Sequence, residues 1–266
     1  MSWAQSGPYR LYYEVRGECE PLALVPGLGL STLAWAQMVP RLEDAYRLVV
    51  VDPRGAGQSD KPDMSYTGEL FAEDLAAVLD DVGVDRAHIV GLSMGGMIAQ
   101  EFSIRFPDRV GSLILLSTYM ATDDWSRRLF EVRRTMIERL GLIEHFKLSI
   151  MFVFSPAAFR NIREQVRAIE SALIDNPPDQ RAYLRQVQYC LEHDTTDRLA
   201  RITAPTLVVT GSHDILTSPL QGRELAGGIP GAEYREFPGA SHGLWLEEGE
   251  AFAVLVKEFL AGHPLG

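Results

Sequence analysis

Residues 87–98 read Ala87-His88-Ile89-Val90-Gly91-Leu92-Ser93-Met94-Gly95-Gly96-Met97-Ile98. The apolar pair Ile89-Val90 enters a G-x-S-x-G core, and a helix-like pattern leaves it. That is the context of a strand, a sharp turn and a helix, in which the turn lifts one side chain above the sheet edge. Strand and helix approach closely there, so Gly91 and Gly95 fit where a Cβ would clash. Ser93 then sits at a helix N-terminus, where free N–H groups and the helix dipole favour negative charge. The N–H of Met94 points to where an oxyanion would form. By composition alone a G-x-S-x-G arises in roughly one chain in ten of this length, so its flanks must carry the weight.

Upstream, Tyr9–Val15 has the aromatic and β-branched content of an edge strand. Leu22–Val25 reads as a buried strand ending in Pro26-Gly27-Leu28-Gly29, after which Ser31 caps a helix expected to run to about Leu42. Arg47–Val51 is a second buried strand. It runs into the turn-rich Asp52-Pro53-Arg54-Gly55-Ala56-Gly57-Gln58-Ser59. Thr67 caps a helix that Gly83 ends. The helix after Ser93 stops at Pro107, and Val110–Leu116 is another apolar strand. Strand and helix therefore alternate, with continuous apolar strands, as in a parallel sheet covered on both faces.

From Asp123 to Arg201 no strand pattern is visible. Helical stretches at Trp125–Leu140, Ile143–Phe154, Ala157–Ile174 and Gln180–Glu192 replace it. The sheet pattern returns at Thr206–Thr210, followed by Gly211-Ser212-His213-Asp214. A last strand at Ala232–Phe237 precedes Gly239-Ala240-Ser241-His242-Gly243, and a helix near Glu248–Leu260 closes the chain. The expected organisation is an α/β core of residues 1–122 and 202–266 with a helical cap of residues 123–201 inserted into it. A length of 266 residues, 46% hydrophobic, suits one large α/β domain with such an insertion.

The net charge of −11 disfavours nucleic acid and anionic membranes as partners. No apolar run approaches membrane-spanning length, and no signal-peptide pattern opens the chain. Cys19 and Cys190 form neither a metal spacing nor a disulfide framework, so a cytoplasmic protein is expected. The Gly55/Gly57 turn lacks the third glycine and helix start of a dinucleotide site, so no cofactor and no metal are expected. The acidic charge is compatible with a monomer or a homodimer.

In open parallel sheets, sites form beyond the C-terminal ends of the strands. Ser93, Asp214 and His242 each follow such an end. A serine hydroxyl needs a base within reach, and the base needs a carboxylate to hold its tautomer. His88 lies at the wrong end of its strand. His145 and His193 fall in helices and read as surface or packing residues. His213 points away from its neighbour Asp214, and His263 is in the tail. Asp123 and Asp124 stand as alternatives to Asp214, and Asp52 is expected to brace its own turn through Arg54.

Over nearly its whole length the chain resembles the α/β-hydrolase superfamily. The residues that carry this are Gly91-Leu92-Ser93-Met94-Gly95-Gly96, Asp52-Pro53-Arg54-Gly55-Ala56-Gly57-Gln58-Ser59, Gly211-Ser212-His213-Asp214 and Ser241-His242-Gly243. The order Ser, Asp, His matches that fold. The resemblance implies Ser93 as nucleophile, His242 as base and Asp214 as acid, with an oxyanion hole from the N–H groups of Leu28 and Met94. Pro26-Gly27 stands where many relatives have His-Gly, which leaves the Leu28 donor in place and alters the anchoring of its loop. Within the superfamily the chain is most similar to cofactor-independent 3-oxoadipate enol-lactonases and carboxylesterases. C–C bond hydrolases share much of the pattern, and some relatives are small-molecule receptors. A serine at the elbow argues against dehalogenases and epoxide hydrolases, which use aspartate.

The implied substrate is a small ester or lactone entering between cap and sheet. Trp35, Met120, Trp125, Leu216 and Trp245 are the expected pocket residues, whereas Met136, Phe146, Met151, Phe152 and Phe154 read as cap core. Arg127, Arg128, Arg133, Arg134 and Arg139 recur at helical spacing and read as a solvated face that could meet a carboxylate.

Overall fold

The computed structural model describes residues 2–265. Its strands are β1 (Ser2–Ser6), β2 (Tyr9–Arg16), β3 (Glu20–Val25), β4 (Tyr46–Val51), β5 (Ala87–Leu92), β6 (Val110–Leu116), β7 (Thr206–Gly211) and β8 (Glu233–Phe237). They form one eight-stranded sheet in the order β1-β2-β4-β3-β5-β6-β7-β8. β1 and β2 run antiparallel to their neighbours, and every pair from β4 to β8 is parallel. This is the α/β-hydrolase fold class expected from the sequence.

Alternate residues of the buried strands face opposite sides. Ala23, Val25, Ile89 and Leu115 enter one core, under α2 (Gly68–Val82) and α3 (Met94–Arg105). Leu22, Leu24, Val90 and Leu116 enter a second, under α11 (Gly249–Ala261). Two smaller clusters lie among α4 (Asp124–Leu140), α5 (Leu142–Val153), α6 (Ala158–Asn161), α7 (Arg163–Asp175) and α8 (Gln180–Glu192). These five helices all fall between β6 and β7. The remaining helices are α1 (Val39–Leu42), α9 (Pro219–Gly228) and α10 (Leu244–Glu247).

Three local expectations are corrected. Tyr9–Val15 is not at the sheet edge, because β1 pairs outside it. β1 is short and polar, with Ala4 its one buried residue, so it has no apolar signature to read. The helix expected from Ser31 to Leu42 is instead a 3₁₀ turn, Thr32–Trp35, followed by α1. Pro40 lacks the N–H that a continuous helix would need there, so it fits only in the first turn of a new helix. The stretch Ala157–Ile174 splits into α6 and α7 at Ile162, whose backbone leaves the helical region.

Candidate active site

β5 ends at Leu92, and α3 begins at Met94, so Ser93 alone makes the turn between them. Its φ of 54° and ψ of −117° are strained for a residue with a Cβ. Hydrogen bonds hold it there. Its N–H donates to Leu116 O at 2.8 Å, and its carbonyl accepts from the Thr118 hydroxyl at 2.8 Å. The flanking glycines are required by contact: a Cβ on Gly91 would meet the carbonyl of Gly95, and one on Gly95 would meet the carbonyl of Val25. The elbow is thus pressed against both its helix and β3.

Asp214 follows β7, and His242 follows β8. His242 Nδ1 donates to Asp214 Oδ2 at 2.9 Å. A carboxylate only accepts, so the proton sits on Nδ1 and the Nε2 lone pair is left free. The Asp214 side chain is fully buried, and its remaining capacity is filled. Oδ1 accepts from the N–H groups of Leu216 and Thr217 at 2.8 and 2.9 Å, and Oδ2 accepts from the Thr217 hydroxyl at 2.8 Å. A buried charge is tolerated only with such a set of donors. Asp123 instead caps α4 through the Ser126 N–H and, like Asp124, is exposed.

Ser93, His242 and Leu28 line one cavity of about 440 Å³. The N–H groups of Leu28 and Met94 donate to no protein acceptor among the described residues. The loop carrying Leu28 is anchored from two directions. Asp52 Oδ1 accepts from Thr32 N–H at 2.6 Å, and Gln186 Oε1 of α8 accepts from Gly29 N–H at 2.9 Å. The Gln186 amide then donates to Arg54 O at 2.8 Å.

Asp52 therefore does not brace its turn through Arg54. Its second oxygen accepts from Gln58 N–H, while Arg54 forms a buried bidentate pair with Asp74 at 2.6 and 2.8 Å. Burial raises the Asp52 carboxyl above its ordinary pKa, and the N–H bonds from Gln58 and Thr32 pull it back only in part.

Of the expected pocket residues, Leu216 and Trp245 line the cavity. Trp35 does not: it is fully buried in the core beneath, packed with Leu22 and Leu24. Met120 packs against the other core. Trp125 lies half exposed on α4, its indole N–H donating to Ile215 O at 2.7 Å. Phe146 and Phe154 line the cavity as well as packing among the inserted helices.

His145 is a buried wall residue, with Nε2 3.0 Å from the Tyr183 hydroxyl and Nδ1 3.2 Å from Ser149 Oγ. Burial pushes its pKa down to about 3, helped by the charge of Arg133. The arginines of α4 also separate. Arg127, Arg128, Arg134 and Arg139 are exposed, whereas Arg133 lines the cavity.

Sequence reasoning missed Thr217, Ser117 and Gln186. Thr217 has a local signal, a hydroxyl three residues after the acid in the turn that leads to α9. Ser117, with φ 47°, reaches the His242 carbonyl at 3.4 Å, and no sequence pattern announces that contact.

A model of the alpha/beta hydrolase fold matches residues 20–249. The chain belongs to the α/β-hydrolase family. It is 30% identical over 262 residues to a protein of Azorhizobium caulinodans named as a carbamate hydrolase, covering 97% of this chain and 98% of that one. The enol-lactonase from Burkholderia xenovorans superposes with a TM-score of 0.91 at 28% identity, over 98% of this chain and 100% of the other. A thermophilic esterase from Thermogutta terrifontis gives 0.88 at 27%, over 99% and 100%. The chain is a hydrolase of α/β fold.

Among the described residues no helix is long and apolar enough to cross a membrane. None of their His, Cys, Asp and Glu side chains form a group of three that could hold a metal.

Proposed function

We propose that this hydrolase cleaves small carboxylic esters or lactones through Ser93, His242 and Asp214. The observation that carries the reading is the 2.9 Å contact of His242 Nδ1 with the buried Asp214, at a cavity whose wall also holds the strained Ser93. In this reading Ser93 Oγ attacks the substrate carbonyl and its proton passes to His242 Nε2. The oxyanion takes hydrogen bonds from the N–H groups of Leu28 and Met94. Collapse breaks the C–O bond, and His242 returns the proton to the leaving oxygen. Water, deprotonated in turn by Nε2, cleaves the acyl-enzyme and restores Ser93. Two fixed donors at the oxyanion favour the transition state, and losing one typically costs ~2.7–4 kcal/mol.

The helices between β6 and β7 act as a cap, with the substrate entering between them and the sheet. The names of the relatives, an enol-lactonase, an esterase and a carbamate hydrolase, fit acyl transfer to water at such a centre.

The test is intact-mass measurement after treatment with a fluorophosphonate. One adduct on the wild type, lost in Ser93→Ala, is expected. A folded wild type that takes no adduct would overturn the reading. Turnover of aryl esters, lactones, carbamates and ring-cleavage products then separates the substrate classes.

A further inference from the structure

The cavity wall is apolar over most of its extent, through Leu129, Phe130, Ile150, Ile169 and Leu246. Among the described residues Arg133 is the one charged Asp, Glu, Lys or Arg side chain on it. Arg133 has no carboxylate within 4.0 Å there, and its guanidinium lies over the Phe130 ring at 5.3 Å. Its neighbours on α4 differ: Arg128 pairs with Glu131 at 3.1 Å, and Arg134 donates to Gln188 at 3.0 Å.

Four titratable groups share the cavity wall with Arg133 and are held toward their neutral forms by burial. The Arg133 charge acts on each of them, Tyr119, His145, Tyr183 and Cys190. The His145–Ser149–Tyr183 cluster adds hydrogen-bonding groups to the same wall. A guanidinium beside the Tyr183 hydroxyl and the Phe130 ring has no charge partner on this apolar wall, and a planar carboxylate fits its fork of donors in bidentate fashion. A local cation is also what an anionic ligand would need to approach a chain of net charge −11.

We infer that Arg133 receives a carboxylate of the substrate, which makes the preferred substrate an ester or lactone with an apolar body and a second, free carboxylate. The inference rests on the ester or lactone reading above and names its substrate class. It distinguishes Arg133 from the exposed arginines of the same helix, and it assigns the cap a part in specificity.

The test uses pairs in which a carboxylate replaces a methyl group, with the uncatalysed hydrolysis of each ester subtracted and its rate used to correct for intrinsic reactivity. The 4-nitrophenyl hemiester of glutaric acid is compared with 4-nitrophenyl pentanoate, and 4-acetoxybenzoate with 4-methylphenyl acetate. These place the carboxylate on the acyl and on the alcohol side. The wild type is expected to favour the anionic member of at least one pair by roughly tenfold or more in kcat/KM, through KM. Arg133→Gln should abolish that preference with the neutral members little changed, and Arg133→Lys should retain part of it.

A wild type without preference, or a preference that Arg133→Gln leaves intact, would overturn the inference. Should neither member of either pair turn over, binding decides the matter separately from catalysis. Hexanoate and hexanamide are titrated into Ser93→Ala and Ser93→Ala/Arg133→Gln proteins by ligand-observed NMR. Preferential hexanoate binding that needs Arg133 supports the inference, and equal binding of both ligands refutes it. Loss of turnover with retained hexanoate binding would count against the hydrolytic reading alone.

Discussion

At the scale of single residues, the carboxylate of Asp214 that meets His242 is itself held by Thr217. Asp214 accepts from the Thr217 N–H and hydroxyl and from the Leu216 N–H as well as from His242. The hydroxyl shares Oδ2 with the imidazole, so it fixes the oxygen that orients the ring. Thr217→Val keeps the side-chain shape and removes that one donor. A hydrogen bond to a charged group contributes about 1.5–3 kcal/mol, so kcat/KM should fall roughly 10- to 100-fold, mostly through kcat. Thr217→Ser should recover most of it. Steady-state kinetics on any substrate the enzyme turns over provides the check, and a fully active Val variant would show that the backbone donors suffice. Strain at Ser93 belongs to the same scale: its backbone conformation survives because Leu116, Thr118 and the two flanking glycines hold it from every side.

At the scale of elements, α8 holds the loop after β3. Gln186 bridges Gly29 N–H and Arg54 O, two backbone groups on separate loops, and is itself fully buried. It supplies an anchor for the loop that carries Pro26 and Leu28. Gln186→Leu would leave both groups without a partner and free the peptide that positions Leu28 N–H. We expect kcat to drop about tenfold with KM nearly unchanged, and stability to fall by about 1–3 kcal/mol in urea titrations. Gln186→Glu keeps an acceptor for Gly29 and should recover more kcat than Leu does. Equal kcat in the wild type and the Leu variant would remove Gln186 from the positioning machinery. The contact joins residues 157 positions apart, so no local pattern announces it. The central strands were legible for the opposite reason: buried on both faces, β3 to β7 must be apolar runs, and their order along the chain is local information. The elbow was legible because close packing forces glycine at Gly91 and Gly95. β1 was not, since a polar hairpin strand burying only Ala4 looks like any surface segment. The placement of Arg133 inward and of Arg127 and Arg128 outward depends on how α4 rotates against α5 and α8, which helical spacing alone leaves open.

At the scale of the whole molecule, the inserted helices are tied to the sheet on both sides of the cavity. On one side stands the Gln186 bridge. On the other, Gly243 N–H, next to His242, donates to Val153 O at 2.7 Å, and Glu247 accepts from the N–H and hydroxyl of Ser155 at 2.9 and 2.6 Å. Such a closure buries groups that must stay neutral, and His193 is the clearest of them. It ends α8 between the rings of Tyr119 and Tyr189, with centroids 6.4 and 5.9 Å away. Burial lowers its pKa from 6.5 to about 4. Glu101 and Asp194 pull it upward, and Arg198 opposes them. His145, pushed to about 3, behaves in the same way. The unfolded chain therefore binds more protons than the folded one as the pH falls below 6.5, and stability must decline with it until the folded pKa is passed. Above 6.5 the slope from these two groups fades over about one pH unit as the unfolded histidines lose their protons. For His193 alone the full loss is on the order of 3 kcal/mol, spread from the ordinary histidine pKa down to the folded one. Urea unfolding at several pH values between about 5 and 7.5 reads this slope before most carboxylates titrate. His193→Gln, which cannot be protonated there, should remove the His193 share of the slope over that window and leave the His145 share, even where it lowers stability at neutral pH. If the wild type and the variant lose stability in parallel from about pH 6.5 to 5, the acid sensitivity lies elsewhere and the end of α8 tolerates a charge.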